Sequence, residues 1–143
     1  METLQRLTRR QVDALAAIGA GETAERGVPL KATAASLRVS APSALGHLTF
    51  LEEMGLIFRY RGKSRLTPKG RDTLVEYRRH HRLAESLFSQ LGLSPELTCE
   101  AAREVDLAIS HHTVERICAA EGHPSVCPHG APISPCSEDN EAK

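Results

Sequence analysis

Two helical patterns of unequal length, LKATAASL from Leu30 to Leu37 and a longer one from Ala41 to Met54, are separated by no more than the tight turn RVSA. A connection of three to four residues makes the two helices cross steeply, and the short-then-long order predicts a helix-turn-helix. The second helix is punctuated at both ends. Ser40 can cap its start with a hydroxyl, Pro42 sits in the first turn where a missing N–H costs nothing, and Gly55 can take the positive φ that closes a helix. Leu45, Leu48, Leu51 and Met54 recur at three-residue steps and are expected to face a core, leaving Pro42, Ser43, Gly46 and His47 outward. That outer face, small and hydrogen-bonding, suits a helix lying in a nucleic-acid groove; an ordinary surface helix is the plainer alternative.

The neighbouring segments favour the groove. Leu7 to Ile18 reads as a helix capped by Thr8, followed by the polar loop GAGETAERG. LIFRYRGKSRLTPKG begins with β-formers, turns at RGKS and returns through Arg65, Leu66 and Thr67, which predicts a two-stranded hairpin. Arg59, Arg61, Lys63 and Arg65 lie on it with Tyr60 among them. A charge run is usually a solvated face, but directly after a helix-turn-helix it reads better as a phosphate clamp or minor-groove probe. The formal net charge is zero, yet residues 1–90 hold 15 Lys and Arg against 9 acids and residues 91–143 hold 3 against 9. Only the first part can neutralise phosphates, so the second does something else. Lys31, Ser40, Pro42, Ser43 and His47, with Arg59, Arg61 and Lys63 of the hairpin, are the residues expected to meet double-stranded DNA.

Thr67 and Pro68 open a further helix that runs to about Gly92, roughly 36 Å long, as a strut between the two parts. Ser94-Pro95 restarts a helix to about Ile109, and Ser110 caps another through Ala120. The stretch from His123 onward is too rich in Pro, Ser and acids to be regular. The fold class is therefore mainly α: a winged helix-turn-helix over residues 1–70, a linking helix with a helical dimerisation and sensing domain over 71–135, and a disordered tail over 136–143. With two Tyr, three Phe and no Trp, the core must be aliphatic. Leu97, Ala101, Val105, Ala108 and Ile109, with Val114 and Ile117, form apolar stripes that a second copy of the chain would bury, which predicts a homodimer. Nothing approaches the ~18 apolar residues of a membrane span, and METLQRLTRR lacks a signal peptide's apolar segment, so a cytoplasmic protein is expected. All four cysteines, Cys99, Cys118, Cys127 and Cys136, fall in the acidic part, which in a reducing compartment points to metal or redox chemistry rather than structural disulfides. An enzyme has little support: there is no phosphate-cradling glycine loop and no paired carboxylates.

Several strings, SAPSALGHLTFLEEMGLI, LTPKG, HHRLAESLF, CEAAREVDLAISHHTVERI and CPHGAPI, resemble the diphtheria-toxin-repressor family of iron- and manganese-dependent regulators over nearly all of residues 7–135. HRLAE and CPHGAPI are the most particular of them. The chain looks like a short member without the SH3-like third domain. The resemblance implies a homodimeric repressor whose two recognition helices enter successive major grooves of a palindromic operator, with metal binding switching DNA affinity.

Residue by residue, the family's two metal sites fare differently. Its first-helix ligand falls on Arg10, with Asp13 a turn further on, and the primary ligands of the later helix fall on Arg103, Asp106 and Leu107, so only Asp106 can still bind metal. The ancillary site maps onto His81, Glu85 and Cys99, all able to coordinate, with His81 and Glu85 four apart on one helix face. Cys118 and Cys127 are further thiol candidates, while Cys127 and His129 of CPHG could equally shape a loop. Thiolates favour an iron–sulfur cluster or zinc over manganese. The cofactor expected is a transition metal, with iron, as Fe2+ or an iron–sulfur cluster, ahead of zinc. The alternative is a winged-helix regulator that responds to thiol redox state or a small molecule without metal.

Overall fold

The structure, a computed structural model, describes residues 2–136. The chain divides into two compact units, residues 6–74 and residues 75–136 with the N-terminal 2–5. Of the tail expected to be disordered, residues 136–143, the first is corrected: Cys136 is buried in the second unit, and residues 137–143 lie outside the described residues. None of the described helices is long and apolar enough to cross a membrane.

In the first unit, helix α2 (Arg9–Gly21) follows the four-residue α1 (Glu2–Gln5), which groups with the second unit. Thr8 and Gln11 form a capping box: the Thr8 hydroxyl accepts from Gln11 N–H at 3.3 Å and the Gln11 side-chain oxygen Oε1 accepts from Thr8 N–H at 2.9 Å. Strand β1 (Val28–Pro29) leads into α3 (Leu30–Leu37), which ends at Arg38 in the left-handed region, φ 56°. Helix α4 (Ala41–Glu53) starts on Ser40, whose hydroxyl accepts from Ser43 N–H, and Gly55 turns the chain at φ 73°. Strands β2 (Ile57–Tyr60) and β3 (Lys63–Leu66) form the expected hairpin, but the sheet is three-stranded in the order β1-β3-β2, with Val28 opposite Ser64. A two-residue strand ending in proline is too short to leave a periodic signal.

The core of this unit is aliphatic: Val12, Leu15, Ile18, Leu37, Leu48, Leu51, Leu56 and Ile57 are all buried. One expectation for α4 is corrected. Leu45 is 37% exposed, and the residue that turns inward a step earlier is Ala44, fully buried, so the core face is Ala44, Leu48 and Leu51. Spacing of 3.6 residues per turn makes 44-48-51 one stripe, and a leucine count alone misplaces it. Thr33 is also fully buried and its hydroxyl has no hydrogen-bond partner among the described residues. An unsatisfied buried hydroxyl costs more than the apolar group of similar shape that would replace it. Thr33→Val is therefore expected to stabilise this unit by about 1 kcal/mol, read as a raised Tm in thermal denaturation.

Helix α5 (Pro68–Gln90) begins where Thr67 accepts from Gly70 N–H at 3.0 Å and donates its hydroxyl to Gly55 O at 2.6 Å. In the second unit its later turns pack with α7 (His111–Ala120) and the segment that follows, around Leu83, Val114, Cys118, Cys127, Ile133 and Cys136, while α6 (Pro95–Val105) meets α5 through Cys99 and His81. The post-α7 segment is irregular, as expected from its composition, but it is not loose. Arg79 Nε donates to Ser134 O at 3.0 Å, Arg82 to Pro132 O at 2.6 Å, and Val126 pairs with Pro132. Helix α6 stops at Val105 instead of reaching Ile109, because Asp106 turns fully inward to take hydrogen bonds from α5.

Candidate functional site

Among the described residues, the first unit presents a polar and basic surface and the second unit several clusters of donor side chains. In the first, α4 shows Pro42, Ser43, Leu45 and Gly46 to solvent, with His47 half-buried at the flank. Ser40 spends its hydroxyl on the helix start, so of the small face it is Ser43 and Gly46 that stay uncommitted. Lys31 on α3, and Arg61 and Lys63 on the hairpin, are exposed, while Arg59 is half-buried. The Arg61 guanidinium lies 5.2 Å from the Tyr60 ring centre, a cation–π contact that stiffens the hairpin tip. Arg26, read from sequence as part of a polar loop, joins this surface. It lines, with Arg61, Lys63, Arg65 and Tyr60, an open cleft of about 310 Å³. Only pairing of β1 with β3 brings Arg26 there, so no local pattern could have signalled it.

Arg10, where the resembling family places a ligand, does structural work instead: it donates to Leu37 O at 2.7 Å and closes the end of α3.

In the second unit a group of donors converges on α5. His81 Nε2 lies 3.2 Å from Glu85 Oε1, one helical turn on, and 3.6 Å from Cys99 Sγ of α6. On the other Glu85 oxygen sits His129 Nδ1 at 2.5 Å, and Glu85, Cys127 and His129 form a second trio of ligand-type atoms within 4.8 Å of one another. The CPHG turn thus meets the His81–Glu85–Cys99 trio at Glu85, which is buried. Asp106, expected among the ligands, stands on the far side of His81: its Oδ2 is 2.9 Å from His81 Nδ1 and accepts from Tyr77 O–H at 3.0 Å. This carboxylate-to-imidazole contact fixes the ring with Nε2 facing the other donors, the second layer found behind metal-bound histidines. Desolvation, and then the Glu85 charge, push the Cys99 thiol up, while Arg103 opposes them.

These separations suit an ion. Tetrahedral coordination with zinc–nitrogen bonds of about 2.0–2.1 Å and zinc–sulfur bonds of about 2.3 Å sets nitrogen and sulfur about 3.6 Å apart, and nitrogen and oxygen about 3.4 Å apart. The donor set of imidazole, carboxylate and thiol is borderline-soft.

The sequence-derived thiols do not all assemble there. Cys118 belongs to a different trio, with His123 and Cys136. A further cluster, not signalled by any motif, joins Glu76, His80 and His111: His111 Nδ1 lies 3.5 Å and His80 Nε2 3.7 Å from Glu76 Oε1. Burial above all, then the nearby His111 and Arg79, pushes the His80 imidazole down to about 4, so it is neutral at pH 7.

Comparison with known proteins bears on this arrangement. Residues 67–135 match the family described as iron-dependent repressor, metal-binding and dimerisation domain. A hypothetical protein from Sulfolobus solfataricus has a similar structure, with a TM-score of 0.83 and 26% identity, over 90% of this chain and 99% of its own. A manganese-dependent transcriptional repressor in complex with manganese gives 0.74 and 32% identity over 90% of this chain and 59% of its own. ScaR with bound Zn2+ gives 0.75 and 26% over 88% and 59%. The chain thus spans about six-tenths of the length of these two metal-bound proteins. No curated protein sequence matches the chain.

Proposed function

We propose that the chain, whose residues 67–135 match the iron-dependent repressor metal-binding and dimerisation domain, is a homodimeric transcriptional regulator of that family in which a divalent ion held at His81, Glu85 and Cys99 governs DNA binding. The observation that carries this reading is the meeting of two donor trios at one buried carboxylate, Glu85. Cys127 and His129 complete the site from the CPHG turn, with Asp106 orienting His81 from behind. Bound there, an ion supplies positive charge and a cross-link that hold α5, α6 and this turn together.

Nitrogen, oxygen and sulfur donors in one site favour Fe2+ or Zn2+ over Mn2+. The thiols divide into Cys99 with Cys127 and Cys118 with Cys136. An iron–sulfur cluster needs about four cysteine ligands together, so a single ion suits this donor set better.

Leu97 is 52% exposed, and Ala101, Val105, Ile109 and Ile117 are only partly covered within one chain. Burial of these stripes by a second copy supports the dimer, and two-fold symmetry then spaces two α4 helices for half-sites of a palindromic operator about one DNA turn apart. Ser43, Gly46 and His47 would read base edges from the major groove, Lys31 would contact phosphate, and Arg26, Arg59, Arg61 and Lys63 would follow the backbone. Leu45 adds an apolar contact suited to a thymine methyl group.

Two measurements test this. Arg61→Ala is expected to weaken binding to all duplex sequences alike and to lower the slope of log K against log salt by about one. An unchanged slope would remove the hairpin from the interface. Metal-free protein, prepared with a chelator and refilled with Zn2+ or Fe2+, is expected to recover one tightly held ion at this site and with it DNA affinity in fluorescence anisotropy. Equal affinity with and without metal would refute the metal-responsive reading.

A further inference from the structure

Two of the four thiols, those of Cys118 and Cys136, stand apart from the donors around Glu85. Cys118 is in the last turns of α7, and Cys136 ends the described segment 18 residues later. Both are buried, at 2% exposure, in the core of the second unit, and between them stands His123. We propose that Cys118, His123 and Cys136 form a second metal site, a zinc staple that fastens the segment following α7, at Cys136, to the end of that helix.

The geometry comes from the way α7 ends. Gly122 and His123 both have positive φ, 75° and 55°, and His123 N–H donates back to Cys118 O at 2.8 Å while Gly122 N–H donates to Ala119 O at 3.1 Å. This double closure is the Schellman arrangement, and it folds the residue five positions on from Cys118 back over the helix end. His123 Nδ1 consequently lies 3.5 Å from Cys118 Sγ, and Cys136 Sγ lies 3.4 Å from the same nitrogen. The three ligand atoms are all within 4.8 Å of one another. In a tetrahedral zinc site the nitrogen–sulfur edge is about 3.6 Å, so both edges here are close to coordination length before any ion binds. Beside the trio is a cavity of about 200 Å³ lined by Cys118, His123, Pro124, Ser125, Ile133 and Cys136, room for an ion and a fourth ligand.

Two thiolates and one imidazole select a soft or borderline ion, Zn2+ before Mn2+ or Mg2+. Binding is proton exchange without redox change: each coordinated thiol releases its proton to solvent as its sulfur takes up the ion. The segment between Cys118 and Cys136 is also the one that carries Cys127 and His129. Fastening both of its ends would hold the CPHG turn against Glu85, which rests on the functional reading only for that second consequence.

The test uses the full chain and single substitutions at exposed positions, so that folding is preserved. Zinc per chain is counted by native mass spectrometry for the unaltered protein, His123→Ala, Cys99→Ser and the double variant. Each single variant is expected to lose one zinc, and the double variant two. Chelation is expected to lower the Tm of the unaltered protein, with a smaller drop in His123→Ala. Cobalt substitution gives an independent reading: Cys99→Ser retains a thiolate-to-cobalt absorption that disappears on adding His123→Ala. Unchanged zinc content in His123→Ala overturns the staple. So does recovery of Cys118 and Cys136 as a disulfide in zinc-supplied protein purified without air. Loss of zinc in His123→Ala alone, with Cys99→Ser unaltered, would support the staple while sinking the His81–Glu85–Cys99 site.

Discussion

His81→Ala is expected to weaken metal binding by more than about 100-fold and to leave DNA binding at its metal-free level whatever ion is supplied. Losing a residue that merely stands behind a ligand costs about 10–100-fold in metal affinity, and His81 is the nitrogen donor itself. Its ring also touches Glu85, Cys99 and Asp106 together. Asp106→Asn, which leaves the donors in place but alters the contact behind the ring, is expected to fall within that 10–100-fold range. Competition against a chelator of known affinity measures both. His112→Ala, an exposed neighbour outside every donor group described, serves as the control and should bind metal normally.

The largest structural effect is expected at Gly70. A Cβ there would lie 1.9 Å from Leu56 O and 2.9 Å from Leu56 C, both backbone atoms, and the same carbonyl accepts from Thr67 N–H. Neither can shift without pulling the start of α5 off the end of α4, so Gly70→Ala is expected to destabilise the first unit by about 3 kcal/mol or more. Gly46 gives the opposite sign. Its Cβ would meet nothing within 4 Å, and an alanine inside a helix is worth about 0.5–1 kcal/mol over glycine. Urea denaturation of the two variants separates them. Because Gly46 lies on the outer face of α4, its alanine variant is also expected to bind DNA less well despite a more stable fold.

What could be read ahead of the structure follows the range of the interactions involved. Helix starts at Thr8, Ser40 and Ser110 and the turn at Gly55 are local hydrogen bonding and backbone preference, and they stand where the residues suggested. His81 and Glu85 were likewise legible, since four residues along a helix is one face. The failures need partners distant in sequence. Val28–Pro29 becomes a strand only because β3 is there to pair with it, and α6 ends early only because Tyr77 and His81 draw Asp106 inward. For the same reason the resemblance could place Asp106 among the candidate ligands but could not reveal its contact with the far side of the His81 ring. The staple residues have spacings of 5 and 13, with no CxxC pattern, and meet only through the closure of α7 and the return of the final segment. Glu76, His80 and His111 are brought together by the packing of α7 on α5 and carry no motif at all.

The central claim, that a metal held in the second unit controls what the first unit does with DNA, is tested most directly by selection from a random duplex library. The protein is presented once stripped with chelator and once refilled with Zn2+ or Fe2+, at fixed salt. The metal-filled protein is expected to enrich two-fold-related half-sites about 10 base pairs apart, and the stripped protein to enrich none. Recovery of the same motif at the same yield with the chelator present would contradict it.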